Sequence, residues 1–574
     1  MKRFYRSRLL RQSNLRHEAA YHISGIHLMS RKLLLIGLAA ICLLSMRADA
    51  SDIVGRSLTV DGITYSGAVP ESDLRASAGR FEAVRDAVRS LDRKRGWRFP
   101  FPVRIHHIDN AARFGVLDYR FVDGPLTRII VVMDGNPDAR RLAYRQLAAL
   151  MIDNELGPVA TPAWLRAGLL EYFANADFPG GKPISPLTKP ATTPSIDSIL
   201  DTDHFAFNRQ TNESRAGFVI RSTLLAVFLV RSEKGSLSEL FALLDSGRPV
   251  RDALGRVFEL NDEAIEKAAS EPYRPLQLKP VSVEESSRPF PTAAANLINA
   301  EILLGIGDTA RAADAIAKST VTSDSLTIQG LIESRMGLSG RADKSFRLAL
   351  TTDPMNARPY FAFASMLVGL ESTELGLSSS FSIETAERVR ALLRKAIELD
   401  PGSGDAYEML AFVNAVREEE IGPTIDLMKR ALEIAPGHPW YRMRMAELQI
   451  ADRNFPVARQ TVLGLRRSAG DDRMRVYAES TLARMNSLET QLASLGRRNQ
   501  KQSDVITDKP LSDEEIARRR AKALNESLNL SLRIRREDET RVIGTIDRVE
   551  CGAAGVLVSV RTGAGTVELW NRSI

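Results

Sequence analysis

The spacing of apolar positions changes along the chain, and the first segment mixes two periods. Alternating apolar and polar residues in "SLTVDGITYSG", around Asp61 and Gly62, predict a β-hairpin. Two further runs, "FPVRIHHI" and "TRIIVVMD", predict strands, and the second is apolar enough to be an interior strand. Residues 73–94 instead repeat their apolar positions at helical spacing. The beginning of the chain therefore predicts a sheet accompanied by at least one helix.

A long helical segment follows. From residue 138 to residue 270 the pattern is almost wholly helical, interrupted by a Pro-, Gly- and Thr-rich stretch at 179–197. Five prolines within 271–291 mark the start of a new segment. We therefore expect an α+β N-terminal domain over residues 51–275.

Residues 290–490 are repetitive. The phrases "RKAIELDP" and "KRALEIAP" are nearly identical and stand 35 residues apart. The clearest unit carries small or aromatic residues at the signature spacings of the tetratricopeptide repeat, which this stretch resembles: Gly330, Gly337, Ala342, Phe346, Ala349 and Pro354. The resemblance implies an all-α solenoid of helix pairs, in which the small residues let neighbouring helices pack closely. An unrelated helical bundle is the alternative.

The end of the chain has a different character. Residues 491–540 predict a polar linker and a basic helix. Residues 541–574 contain three alternating runs separated by Gly-rich turns, which predict a small C-terminal β module.

The N-terminus has the pattern of an export signal. Residues 29–50 combine a basic start, an apolar run of 12 residues and a small-x-small ending at Ala50, as in a secretory signal peptide. Residues 1–28 are then an extended n-region or follow a misassigned start codon. We therefore expect a periplasmic or secreted protein with no stable membrane span after cleavage. Only Cys551 remains in the mature chain, so it has no partner for an intrachain disulfide.

Net charge gives no support for nucleic-acid binding. The formal net charge of the whole chain is +7, and residues 1–50 alone account for it, so the remainder is neutral.

One segment carries a resemblance to a family of enzymes. The stretch "TPAWLRAGLLEYF" resembles the W-L-x-E-G-x-x-E-Y-F segment of gluzincin-type zinc peptidases, the peptidase-MA-like family, whose HExxH helix lies one short loop upstream. Residues 143–156 occupy that place, and the resemblance covers about residues 75–270. In such a motif two His ligands share one helical face, and the Glu between them serves as general base.

The chemistry of that motif is missing from this chain. The resemblance places the two His ligands at Arg145 and Ala149, the general base at Gln146 and the third ligand at Ala167, while the later Glu survives as Glu171. A catalytic zinc needs three protein donors, and none of the three ligand positions, Arg145, Ala149 and Ala167, supplies one. We therefore expect neither metal nor other cofactor and no catalysis.

The other candidate residues do not predict an alternative metal or catalytic site. His106 and His107 are adjacent on a predicted strand, so their side chains should point to opposite faces. His204, near Asp201 and Asp203, is interpreted as solvated surface rather than as a cation ligand, and His438 as a loop residue. The G-x-S-x-G, S-x-x-K and P-loop signatures are absent, and Cys551 has no His close in sequence.

The combined patterns predict an exported, non-catalytic scaffold that binds a protein or peptide. The partner should lie on the concave face of the solenoid, which the first helix of each pair lines. Counting along the repeats places these residues on that face: Arg358, Phe361, Asp405, Glu408, Phe412, Trp440, Met443 and Glu447. For the apolar members, packing between helices is an equally good explanation. The alternative functions are an active envelope hydrolase with an unrecognised site and a structural envelope protein docked through its β module.

Overall fold

The computed structural model describes residues 53–108, 121–124, 126–133, 137–179, 193–370, 381–503, 514–515, 517–523, 542, 544–552 and 555–571. The predicted leader at 1–50 and part of the linker at 491–540 lie outside these residues. None of the described helices is long and apolar enough to cross a membrane.

The N-terminal part is built on a six-stranded mixed sheet. Its strands are β1 (Ile53–Val60), β2 (Ile63–Gly67), β3 (Val103–Ile108), β4 (Phe121–Asp123), β5 (Arg128–Met133) and β6 (Arg288–Pro291). They are ordered β4-β5-β3-β2-β1-β6, with β2, β3 and β5 mutually parallel and the other pairs antiparallel. The predicted hairpin is β1–β2, and β5 is an interior strand, as its apolar sequence predicts.

Ten helices accompany the strands in this part of the described chain. They are α1 (Glu71–Arg89), α2 (Pro137–Glu155), α3 (Gly157–Ala160), α4 (Ala163–Ala174), α5 (Ile196–Asp201), α6 (His204–Asn208), α7 (Asn212–Arg231), α8 (Leu237–Asp245), α9 (Val250–Phe258) and α10 (Asp262–Ala268). Helix α2 packs on α4, and α4 packs on α7. Helix α1 packs on α2, and together these helices lie over one face of the sheet. The α+β start that the sequence predicts is confirmed.

Antiparallel helix pairs form the next part of the chain. Their helices are α11 (Thr292–Gly305), α12 (Thr309–Ile316), α13 (Ser323–Arg335), α14 (Ser339–Thr352), α15 (Ala357–Leu370), α16 (Ile383–Leu399), α17 (Gly404–Arg417), α18 (Ile421–Ile434), α19 (Pro439–Ala451) and α20 (Phe455–Ser468). Ala342 is fully buried, and Phe346 stacks on Phe363 of the next pair with the ring centroids 5.0 Å apart. The predicted helical repeat is confirmed.

The sheet is buried on both faces, and the two faces belong to different cores. Ile130 and Val132 of β5 point into the core shared with α1 and α2. Ile129 and Val131, one residue out of phase, point into the core of the repeats. Because side chains alternate across a strand, the continuous apolar run of β5 serves two layers at once. The N-terminal part and the repeats therefore form one compact unit that ends at Ser487.

A second compact unit begins at Leu488. Helix α21 (Asp472–Ser503) continues past this boundary, and the described residues of the second unit include a three-stranded antiparallel sheet ordered β7 (Thr545–Gly552), β8 (Gly555–Thr562) and β9 (Gly565–Asn571). The C-terminal β module that the sequence predicts is confirmed.

Candidate functional site

The positions that the sequence resemblance assigns to a metal motif lie on two helices that pack against each other. Arg145, Gln146 and Ala149 belong to α2, and Ala167 and Glu171 belong to α4. Ala149 and Ala167 are 8% and 2% exposed, so both are packing residues of the N-terminal core.

The surviving Glu171 is held by two arginines. Arg141 donates to its Oε1, and Arg145 Nε lies 4.0 Å from its Oε2. Asn175 Nδ2 donates to Oε1 across 2.9 Å. Burial and the charge of Glu171 together raise the pKa of the neighbouring Tyr273 to about 12. The carboxylate is therefore enclosed by donors, and its charge is balanced by guanidinium groups of α2.

The side chains at these positions form an ion pair. Burial lowers the pKa of Arg145, while the charge of Glu171 acts in the opposite direction. An arginine stays protonated even so, and its guanidinium donates but cannot coordinate a cation. Within the described ranges, no group of three or more His, Cys, Asp or Glu side chains is arranged to hold a metal ion.

The adjacent histidines of β3 point to opposite faces, as predicted. His106 Nδ1 lies 3.0 Å from Ser66 Oγ, and its ring meets Phe290 edge-on at 5.9 Å on the repeat side of the sheet. Burial lowers the pKa of His106 to about 3, so this imidazole is neutral. His107 Nε2 instead lies 2.9 Å from Ser77 Oγ on the α1 side.

The prediction of a solvated His204 is wrong. His204 is buried at the first position of α6, and its Nε2 lies 2.8 Å from the carbonyl oxygen of Thr161. Burial lowers its pKa. The signal that the sequence offered was Asp203, whose Oδ1 accepts from Ala206 N as a helix N-cap and so places the next residue inside a helix.

His438 is only in part the loop residue that the sequence predicts. It caps the N-terminus of α19, half-buried, with its ring stacked on Tyr441 at 3.9 Å between centroids. Burial lowers its pKa to about 4.

Three residues assigned to the concave face lie next to the chain's own N-terminal domain. Arg358 pairs with Asp324 at 2.9 Å and, with Phe361 and Asp405, lines a cavity of about 50 Å³. The other wall of that cavity includes Phe101 and Arg128. Asp405 lies 3.4 Å from Arg128 and accepts from Tyr441 at 2.7 Å. These three residues therefore face the chain's own N-terminal domain, and an external partner is not needed to explain their positions.

The remaining residues of that face surround Arg444, which the sequence analysis missed. Arg444 lies 2.8 Å from Glu408, pairs with Glu447, and stacks 4.4 Å above the ring of Phe412. Burial raises the pKa of Glu408, and the charge of Arg444 opposes this shift. The available signal was spacing, because Arg444 precedes Glu447 by three residues on one helical face.

The apolar residues of this set differ in how far their side chains are buried. Met443 is 1% exposed and Phe412 is 9% exposed, so both pack between helices, which was the alternative explanation. Trp440 is half-buried, with Tyr477 edge-on at 5.4 Å and the guanidinium of Arg473 at 5.0 Å from its ring. Of these three residues, Trp440 is thus the one that retains exposed surface.

Comparison with known proteins gives similarity to repeat structures. No family model matches the chain, and no curated protein matches it. PilF of Pseudomonas aeruginosa is 18% identical, covers 37% of this chain and 93% of its own, and gives a TM-score of 0.29. TTC0263, a TPR protein of Thermus thermophilus, is 20% identical. The match covers 33% of this chain and 98% of TTC0263, with a TM-score of 0.27. YrrB, described as a TPR protein with an unusual peptide-binding site, is 16% identical. The match covers 33% of this chain and 91% of YrrB, with a TM-score of 0.25. At TM-scores this far under 0.5 the similarity carries no argument about function, and the repeat assignment rests on the helix pairs themselves.

Proposed function

We propose that this chain is an exported, non-catalytic scaffold that binds a protein or peptide and is built on a pseudo-metallopeptidase domain and tetratricopeptide repeats. The observation that carries the proposal is the ion pair of Glu171 with Arg141 and Arg145. It stands where the peptidase-MA-like resemblance places a metal ion.

Electrostatics supports the loss of metal chemistry. A buried carboxylate needs a cation nearby, and a dication or a guanidinium can meet that need. Here arginine side chains supply the positive charge, and they would repel a metal ion a few ångströms away. The buried alanines at 149 and 167 contribute no donor atom. The pocket framework is retained as packing.

Metal content tests this part of the proposal. The purified protein is expected to contain no stoichiometric zinc, and a chelator should leave its unfolding temperature unchanged. One zinc per wild-type chain would overturn the proposal. A variant combining Arg145→His, Gln146→Glu, Ala149→His and Ala167→Glu restores the donor set and serves as the positive comparison. Arg145→His alone should bind nothing, since a single imidazole is not a zinc site.

The surface around Trp440 is the proposed contact with a partner. Tyr477 packs edge-on against the indole ring and Arg473 lies over it, and Trp440 still keeps part of its surface exposed. Aromatic anchors bordered by charged groups are typical of interface centres. The charge of Arg444 is already balanced by Glu408 and Glu447, so the Trp440 ring is the part of this surface proposed as the anchor.

A pull-down from the envelope fraction tests the partner surface. Trp440→Ala should reduce capture of the partner, and Trp570→Ala, which removes an exposed Trp from the C-terminal sheet, should leave it unchanged. If deletion of residues 541–574 abolishes capture while Trp440→Ala has no effect, the alternative of a structural protein docked through its β module gains the support instead.

Export is a further part of the proposal. The signal pattern of residues 29–50 places the mature N-terminus at Ser51, two residues before β1 begins at Ile53. N-terminal sequencing of protein from the envelope fraction measures it directly. A cytoplasmic chain that retains residues 29–50 contradicts the proposal.

A further inference from the structure

A cleft in the N-terminal domain is lined by residues that have no part in the proposed scaffold function. Its floor is made where three parallel strands end: Ala68 follows β2, His107 lies near the end of β3, and Met133 ends β5. Helices α1 and α2 form its walls. Its volume is about 450 Å³, which is within the range of small-molecule sites. The outer edge of parallel strands at their carboxyl ends is a recurrent place for ligands in α/β sheets.

Hydrogen-bond donors converge on this cleft from both walls. Helix α1 contributes Ser77 and Arg80, and helix α2 contributes Arg140 and Tyr144, each pair being three or four residues apart and therefore on one helical face. The Tyr144 ring is held edge-on against Phe81 at 4.9 Å, which sets the position of its hydroxyl. Burial raises the pKa of Tyr144 to about 12, so the hydroxyl remains a donor at neutral pH.

The two arginines of the cleft differ from their neighbours, because the described part of the chain gives them no acidic partner. Arg141 and Arg145 turn to Glu171, whereas Arg140 faces the cleft. Arg80 Nε donates to the carbonyl oxygen of Ala76 in its own helix, 3.0 Å away. Among the described residues, no carboxylate lies within ion-pair distance of Arg80 or Arg140.

Positive charge therefore exceeds negative charge in the described lining of the cleft. Asp73, which is exposed, is the single acid among the described lining residues, against two guanidinium groups. The pair of Ser77 Oγ and His107 Nε2, 2.9 Å apart, adds a polar group that can donate. When His107 carries its proton on Nε2, it donates to Ser77 and leaves the serine hydroxyl proton for a ligand.

We infer that this cleft binds a small molecule through a carboxylate or phosphoryl group. Arg80 and Arg140 hold the oxyanion from opposite walls, and Tyr144 and Ser77 complete its hydrogen bonds. Guanidinium groups suit this role because their planar donors match carboxylate and phosphate oxygens. This site is separate from the Arg141–Glu171 ion pair and from the Trp440 surface.

Titration calorimetry on the full chain at low salt tests the inference, with inorganic phosphate and acetate as separate probes. At least one probe should bind saturably. Arg80→Gln and Arg140→Gln should each weaken that binding by about ten- to a hundredfold, the loss expected for a charged hydrogen bond. Tighter phosphate binding identifies a phosphoryl ligand, and tighter acetate binding a carboxylate.

Arg93→Gln is the matched control, since it removes the same charge from an exposed position beyond the C-terminal end of α1. It should leave the affinity unchanged. Arg140→Lys keeps the charge and loses the paired donors, so an intermediate loss is expected even if the glutamine variants fold poorly. Absence of saturable binding by both probes overturns the inference, as does equal weakening by Arg93→Gln, which would indicate diffuse attraction.

Discussion

Replacing Glu171 with Gln removes one charge from the ion pair and keeps the shape of the side chain. The carboxylate side chain is 4% exposed, and it faces Arg141 and Arg145, whose side chains are 22% and 28% exposed. After the substitution, two guanidinium groups lie close together with no acid between them. We expect Glu171→Gln to destabilise the contact between α2 and α4.

The magnitude follows from burial. Removing one partner of a fully buried ion pair costs about 3–5 kcal/mol. An exposed pair contributes only about 0–1 kcal/mol. Since both arginines keep some contact with water and can be rehydrated, we expect a loss of about 2–3 kcal/mol.

Hydrogen exchange followed by mass spectrometry suits a unit of this size, because it reports local stability without requiring two-state unfolding. Amides of α4 should exchange about 30- to 150-fold faster in Glu171→Gln, which is the same energy expressed as a rate ratio. Glu239→Gln is the control, since Glu239 is an exposed glutamate on α8. Glu239→Gln should leave the amide exchange rates of α4 unchanged.

A double-mutant cycle identifies the cause. Arg141→Met combined with Glu171→Gln should cost less than the sum of the two single changes, because the unpaired guanidinium is removed with its partner. Additive losses, or exchange in Glu171→Gln equal to that in Glu239→Gln, would refute the reasoning.

Three further predictions concern packing and pH. Ala342 is fully buried where α13 and α14 meet, so Ala342→Leu should lower the free energy of unfolding by about 1–3 kcal/mol, measured as a lower unfolding midpoint of the full chain. A Cβ on Gly437 would lie 2.2 Å from Gly157 N, so Gly437→Ala should lower the midpoint, whereas Gly340→Ala, which meets nothing within 4 Å, should not. Burial holds the pKa of His438 at about 4, below the ordinary 6.5, so the folded imidazole stays neutral while the unfolded chain takes up a proton. Stability should therefore fall as the pH drops from about 6.5 towards 4, by at most about 1.4 kcal/mol per unit for this group, and His438→Gln should show a shallower pH dependence than wild type.

The sequence predicts the repeats well because their signature is local. Ala342 and Phe346 stand at spacings that follow from one helix pair packing on itself and the next. The apolar run of β5 likewise predicts an interior strand. That Ile129 and Val131 pack on the repeats could not be read from the chain, because it depends on contacts between residues far apart in sequence.

In the candidate sites, too, local spacing could be predicted from the sequence and contacts between distant residues could not. Motif spacing places Arg145 and Glu171 on two packed helices, but only the structure shows that they face each other. Counting along the repeats identified residues around Arg444 without Arg444 itself. The assignment of the concave face to an external partner did not anticipate Arg128, which reaches Asp405 from the N-terminal domain.

The match between the repeats and the N-terminal domain limits how this protein can change in evolution. The helix pairs and the helix that follows them meet different points of that domain: Asp405 meets Arg128, Gly437 N donates to the carbonyl oxygen of Asn154, and Asp472 pairs with Arg209. Repeat arrays ordinarily tolerate gain or loss of whole units, since each unit contacts only its neighbours. Here an added unit would shift every later helix past its contact on the domain. The number of repeats is therefore fixed by the domain that they pack against, and duplication within the array should be selected against.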